Sequence, residues 1–137
     1  MRSEQPNRPA WMPPDRTVSA LPAGRWWDVV VVPQRAGLDA LEVLDRESGH
    51  CPGPVIWDVA PNNPRLYFLV PLGTAATWPS VRGCEARGET TYIGVPGATT
   101  IEPPGVHWLC PPDPDRPGEL VDAAALRAAL ELLAVAS

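Results

Sequence analysis

The side chains able to do chemistry are few and scattered along the chain. Three carboxylates, Asp28, Asp58 and Glu85, fall within or beside runs of β-prone residues that would hold them near a sheet. A hydrolase built on them needs a nucleophile, a base and an orienting group within reach, and the spacing selects none. The simpler expectation is strand-end or loop carboxylates in water. His50-Cys51, Cys84 and His107-x-x-Cys110 supply enough ligands for zinc in number. No paired knuckle accompanies them, and a two-residue gap within an extended strand puts His107 and Cys110 on opposite faces. Buried thiols are therefore expected, with no metal and no other cofactor. Arg35, Arg65, Arg82 and Arg87 lie close to the same runs. A planar guanidinium fork suits phosphate, although an arginine at a strand start is more often solvated or ion-paired.

The elements that must position these groups are organised around Gly53 to Pro71. Strands from Val55 to Val59 and from Arg65 to Val70, joined by Pro61-Asn62-Asn63-Pro64, read as a hairpin, because β-branched and aromatic residues fill both arms while Asn and Pro suit the reversal. Before it, Trp26-Trp27-Asp28 followed by four valines is too continuous for a strand with one wet face, which predicts a central strand covered on both sides and ended by Pro33. Leu38, Leu41 and Leu44 recur at helical spacing with Glu42 and Arg46 four apart on the other face, predicting a helix from Gly37 to Ser48 stopped by Gly49. After the hairpin, Gly73 to Trp78 reads as a turn or a single helical turn. Val81 to Ala86 and Thr90 to Val95 read as strands, and Gly105 to Cys110 as an edge strand between prolines. The clearest helix is Val121 to Ser137, with Asp122 as N-cap, Val121 and Leu126 at the staple positions, and Leu126, Leu130 and Leu133 as an apolar stripe facing the sheet.

A chain of 137 residues is one domain by size, and 45% hydrophobic residues excludes wholesale disorder. The 19 prolines cluster where the chain must be irregular, above all before Gly24. Residues 1–23 are expected to form a flexible Pro/Arg-rich arm that is dispensable for folding, with residues 24–137 as the domain. All eleven basic residues are Arg, and a net charge of -5 excludes coating nucleic acid by bulk electrostatics while leaving room for a local basic patch. No apolar run approaches the ~20 residues needed to span a bilayer, and the N-terminus lacks the apolar stretch of a signal peptide. A cytoplasmic protein with no membrane partner is expected. Three cysteines, an odd set, are then expected as unpaired thiols.

Val30 to Leu44, ending in Ala-Gly-Leu-Asp-Ala-Leu-Glu-Val-Leu, is similar to the strand and Gly-Gly-Leu-Asp-Ala-Leu-like helix of primase-polymerase domains of the archaeo-eukaryotic primase superfamily. Leu66-Tyr67-Phe68 resembles the end of that family's His-Leu-Tyr-Phe hairpin, and Glu85-Ala86-Arg87-Gly88 through Val95-Pro96 resembles its Asp-x-Arg-Gly segment. The resemblance spans Trp26 to Trp108 and implies an α+β fold, a mostly antiparallel sheet with helices packed on one face. It also places the family's two metal-binding aspartates on Val30 and Val32, its His on Arg65, its glycine turn on Asn62-Asn63 and its third acid on Glu85. Valine offers no oxygen to Mg²⁺ or Mn²⁺, so a two-metal site of the family's kind cannot form there. The upstream part of the family's catalytic domain has no counterpart in the proline-rich arm. Together these imply a truncated, catalytically degenerate relative.

The function expected from this reading is a non-catalytic module that binds a nucleotide, a nucleic-acid end or a protein partner. Its candidate ligand-binding residues are Arg65, Glu85, Arg35, Arg87, Asn62 and Asn63. Two alternatives come from other classes: an enzyme with a relocated site at Glu85 and the Asp58 region, and a structural interaction protein using the Pro-rich arm. The six tryptophans are expected in core and rim packing rather than as base-stacking platforms.

Overall fold

The computed structural model describes residues 8–49, 51–79, 84–89 and 91–136. Within them run β1 (Val18–Pro22), β2 (Asp28–Pro33), α1 (Gln34–Ser48), β3 (Val55–Asp58), β4 (Arg65–Val70), α2 (Thr74–Thr77), β5 (Glu85–Arg87), β6 (Tyr92–Pro96), β7 (His107–Cys110) and α3 (Ala123–Ala136). The fold is α+β with antiparallel pairing throughout these strands, as expected. The strands divide into a five-stranded sheet, ordered β5-β2-β4-β3-β7, and a two-stranded ribbon of β1 and β6. The ribbon is the main departure from the sequence reading.

β1 lies inside the stretch expected to be a mobile arm. Val18 pairs with Pro96 and Pro22 with Tyr92, so the whole strand is laddered against β6. Further upstream, the Trp11 ring sits 5.7 Å from that of Trp27, edge to face, and 6.2 Å from that of Trp108. A boundary at residue 23 therefore cuts through packed structure. The apolar content of the arm is low, but the residues that carry it land on two of the largest buried rings in the molecule.

Period-two alternation in β2 and β4 builds two cores on opposite sides of one sheet. Val30, Val32, Leu66, Phe68 and Val70 face α1 and α3 and meet Ala40, Leu44, Leu126 and Leu130. Val29, Tyr67 and Leu69 face the ribbon, joining Trp27, Ile56, Ile93, Val95 and Trp108. The valine run is thus covered on both faces, with Val29, Val30 and Val32 buried and Val31 half-buried, and the β3-β4 hairpin sits inside the sheet. On α1, Gly37 faces β4 so closely that a Cβ there would lie 3.0 Å from Leu66 Cδ2. The helix ends at Gly49, left-handed at φ 81°, whose N–H donates to Asp45 O. The exposed Glu42–Arg46 pair forms at 3.6 Å. Asp122 caps α3, with Ala124 N donating to its Oδ1 at 3.3 Å, while Val121 and Leu126 are buried as the staple requires.

The downstream strands shift relative to expectation. Residues 80–83 and Thr90 lie outside the described residues, and the strand expected from Val81 to Ala86 is β5, three residues at the sheet edge. The strand expected from Thr90 to Val95 is β6, in the ribbon rather than the main sheet. Gly73 to Trp78 holds the single helical turn α2, capped from outside by Asp28.

The cysteines correct the expectation of unpaired thiols. Cys51, after α1, and Cys110, at the end of β7, are joined in a disulfide with Cα atoms 6.0 Å apart. Their distance along the chain hid a proximity created by β3, which brings the loop before it alongside β7. Cys84 lies outside this bridge and is buried, which pushes its thiol pKa above its ordinary 9.0.

Candidate functional site

Strand β2 passes directly into α1 at Pro33, and around this junction the hairpin gathers most of the polar residues singled out in the sequence. Arg65 is the register partner of Pro33 on one side and of Asp58 on the other. Gln34 N donates to Pro64 O at 3.1 Å, holding the start of α1 against the turn that carries the exposed Asn62 and Asn63. Trp57 Nε1 donates to Gln34 Oε1 at 2.8 Å, a second tie between helix and hairpin. α1 has no side-chain cap and no acidic residue in its first turn, and Arg35 stands exposed on that turn. The amide dipoles and the guanidinium together make this end of the helix electropositive.

Arg65 is held in a three-residue network. Its Nε donates to Tyr67 Oη at 2.9 Å, Tyr67 Oη donates to Asp58 Oδ2 at 2.8 Å, and Arg65 Nε lies 3.6 Å from the same Asp58 oxygen. Asp58 Oδ1 accepts from Ala60 N at 3.2 Å, so the carboxylate also shapes the turn. Because these contacts use Nε, the outer edge of the guanidinium is left for solvent or a ligand, and the Arg65 side chain is 37% exposed. Tyr67 was visible in sequence as part of the hairpin, but its hydroxyl as the link between Arg65 and Asp58 was not. The available signal was its position two residues from Arg65, which puts both on one face of β4.

Burial raises the pKa of Tyr67 above its ordinary 10.0, and the hydrogen bond to Asp58 raises it further. The unfolded chain therefore ionises this hydroxyl first. The stability it contributes is complete below pH 10.0 and is lost as pH rises through the higher folded value. Cys84 acts in the same direction from pH 9.0 upward. We expect the unfolding midpoint to fall across this alkaline range, and Tyr67→Phe to make the fall shallower. An unchanged slope in the variant would show that Tyr67 titrates alike in both states.

Glu85 and Arg87 lie elsewhere on the sheet. Glu85 pairs with Val31 and Arg87 with Val29, and the two side chains form an ion pair with each other. Glu85 is on the same face as Arg65 and Tyr67 but is separated from Tyr67 by Val31 of β2, two strand spacings or roughly 10 Å. Asp58, on β3, is three spacings or roughly 14 Å from β5, so Asp58 and Glu85 do not converge. Glu85 and Arg87 instead line a groove of about 620 Å³ with Ala75, Trp78, Cys84 and Thr91. Arg82 lies outside the described residues.

The face assignment bears on the positions matched to the family's metal-binding aspartates. Val30 and Val32 point into the helix-side core with no exposure, and the β5 partner of Val30 is Ala86. Glu85 pairs with Val31 and so shares the opposite face. The positions matched to the family's paired acids therefore do not share a face with the position matched to its third acid. Since Val29 through Val32 are all valine, this part of β2 offers a carboxylate to neither side. The one acid on this strand, Asp28, is buried and accepts from Gly73 N at 3.1 Å and Ala75 N at 2.8 Å. It is a structural cap and not a strand-end carboxylate in water.

The zinc-like set resolves differently from its sequence geometry. A register irregularity between Val55 and Ile56 shifts β7, so that Cys110 joins Val55 in the helix-side core although Trp108 faces the ribbon. His107 pairs with Trp57, its ring 5.3 Å away, and its Nδ1 is 2.9 Å from Gly105 O. The irregularity thus removes the expected opposition of His107 and Cys110, but Cys110 bonds to Cys51. His50 lies outside the described residues. Among the described residues, no three His, Cys, Asp or Glu side chains come together as a metal-binding group. Likewise, no helix among them is long and apolar enough to cross a membrane.

No curated protein and no solved structure matches the chain. The family described as bifunctional DNA primase/polymerase, N-terminal, matches residues 4–123, which takes in β1, the ribbon-side core, the Arg65 network and the disulfide. With the match running through nearly every element of the fold, the chain belongs to the bifunctional DNA primase/polymerase N-terminal domain family.

Proposed function

We propose that this domain binds a phosphate-bearing ligand, a nucleotide or a nucleic-acid end, at the β2-α1 junction without catalysing nucleotidyl transfer. The observation that carries this reading is the contrast at that junction. The strand leading into it presents valine on both faces, while the uncapped first turn of α1 carries Arg35 and the adjacent hairpin carries Arg65, braced by Tyr67 and Asp58. Two guanidinium groups and a helix start suit an anion, and Asn62 and Asn63 add donors in the neighbouring turn. Glu85 and Arg87, paired with each other on β5, are secondary in this arrangement.

The test is calorimetry at low salt with a nucleoside triphosphate and with a short oligonucleotide. Each charge-assisted hydrogen bond contributes about 1.5 to 3 kcal/mol in favourable cases, so Arg65→Ala and Arg35→Ala should each weaken binding roughly tenfold or more, and Glu85→Gln less. No binding of either ligand by the unmodified protein would end the phosphate reading. Template-dependent incorporation of nucleotides with Mg²⁺ or Mn²⁺ would overturn the non-catalytic part.

A further inference from the structure

Among the described residues, β1 is a sheet edge without the usual protection. At the edges of the main sheet, β5 is three residues long with Glu85 and Arg87 flanking Ala86, and β7 is four residues long and followed by Pro111 and Pro112. Short length, charge and proline are the devices that keep edges from pairing with other chains. β1 is Val18-Ser19-Ala20-Leu21-Pro22, with no charge and with proline only at its end. The flanking bonds fix which way its backbone faces: Gly97 N donates to Thr17 O at 2.9 Å and Ala23 N to Thr91 O at 2.8 Å. Odd-numbered residues therefore bond to β6, and the N–H groups of Val18 and Ala20, with the carbonyls of Val18, Ala20 and Pro22, point away from it.

Side chains of the same residues form the outer face of the ribbon. Val18 is 54% exposed and lies over Gly94, where a Cβ would be 3.3 Å from its Cγ1; Tyr92, opposite Pro22, is 65% exposed. Among the described residues no other strand pairs with this edge.

We propose that β1 pairs antiparallel with β1 of a second copy of this chain, about a two-fold axis through Ala20. In that register Ala20 faces Ala20 of the second copy and Val18 faces its Pro22. The two Ala20 residues exchange N–H···O bonds, and each Val18 N–H donates to the opposing Pro22 carbonyl. The missing proline donor is thus absorbed at the rim, leaving only the Val18 carbonyls without a ladder partner. The ribbon becomes a four-stranded sheet, β6-β1-β1-β6, with Val18 and Pro22 packed across the join. The uncharged strand also lets two molecules of net charge -5 approach without local repulsion.

Sedimentation velocity of the full chain over a range of concentrations, with amide hydrogen exchange, tests this. A monomer–dimer equilibrium is expected, with Val18 and Ala20 amides gaining protection as concentration rises. Ala20→Lys, at an exposed position, puts like charges face to face on the axis and should weaken the dimer at least tenfold while leaving the thermal midpoint of the monomer unchanged. A chain that stays monomeric at submillimolar concentration overturns the proposal, as does an Ala20→Lys dimer of unchanged affinity. Protection of both amides in the monomer would show that another part of the same chain covers the edge, and also overturns it. Should Ala20→Lys fail to fold, the exchange data on the unmodified chain decide alone.

Discussion

Deleting residues 1–23 is expected to abolish cooperative folding rather than to trim a loose end. β6 would lose its only ladder partner among the described residues, because β1 pairs with it along its full length. The ribbon-side core would lose Trp11, Met12 and Leu21 from its cover, opening Trp27, Trp108, Ile93 and Val95, each now 5% exposed or less. An aromatic side chain buries about 150–250 Å², and burial stabilises by about 25 cal/mol per Å², so uncovering several such groups costs several kcal/mol. A domain of this size has a total of about 5–15 kcal/mol to lose. Thermal unfolding of the deletion variant should show no sharp transition, or one shifted down by tens of degrees, with increased binding of a hydrophobic dye. A midpoint within a few degrees of the full chain would mean that β1 and Trp11 contribute nothing to the fold.

Breaking the Cys51–Cys110 bridge is the second large effect. The bridge spans 59 positions of chain and so restricts a long loop in the unfolded state, for which a stabilisation of roughly 2–4 kcal/mol is typical. Reductant, or Cys51→Ala, should therefore lower the unfolding midpoint by on the order of 10 °C. The residue at 51 is exposed whereas Cys110 is buried, so the alanine variant leaves the core intact. Reductant should have no further effect on that variant. Without reductant, the denatured full chain should show one titratable thiol of three. Three titratable thiols would remove the bridge and with it the expected shift.

What sequence made legible follows from how local each signal is. α1 and α3 were readable because apolar spacing, the Gly49 stop and the Asp122 cap are all contained within one turn or two of the helix they define. The β3-β4 hairpin was readable from β-prone arms around an Asn-Pro turn. β1 was not, since five residues with prolines nearby carry too weak a pattern, and their partners lie seventy or more residues downstream. The disulfide was hidden for the same reason. At the site, alternation correctly puts Arg65 and Tyr67 on one face, but the spacing between Arg65 and Glu85 depends on strand order. That order follows from β2 inserting between β4 and β5, which no local pattern encodes.

Four consecutive valines give β2 no side-chain preference for one face over the other. A slip of one residue would exchange the two cores at this strand and bury valine either way. The strand is instead clamped at its ends. At one end Asp28 reaches the amides of Gly73 and Ala75, and at the other Pro33 hands the chain to α1, whose first amide is bonded to Pro64. A slip would pull the carboxylate off both amides and leave a buried polar group without donors, which costs more than the valines could discriminate. The middle of the sheet thus behaves like an unmarked rule whose position is read only from its two end stops, and one of them, Asp28 at the far end of the strand from the β2-α1 junction, helps decide which valines stand behind Arg65.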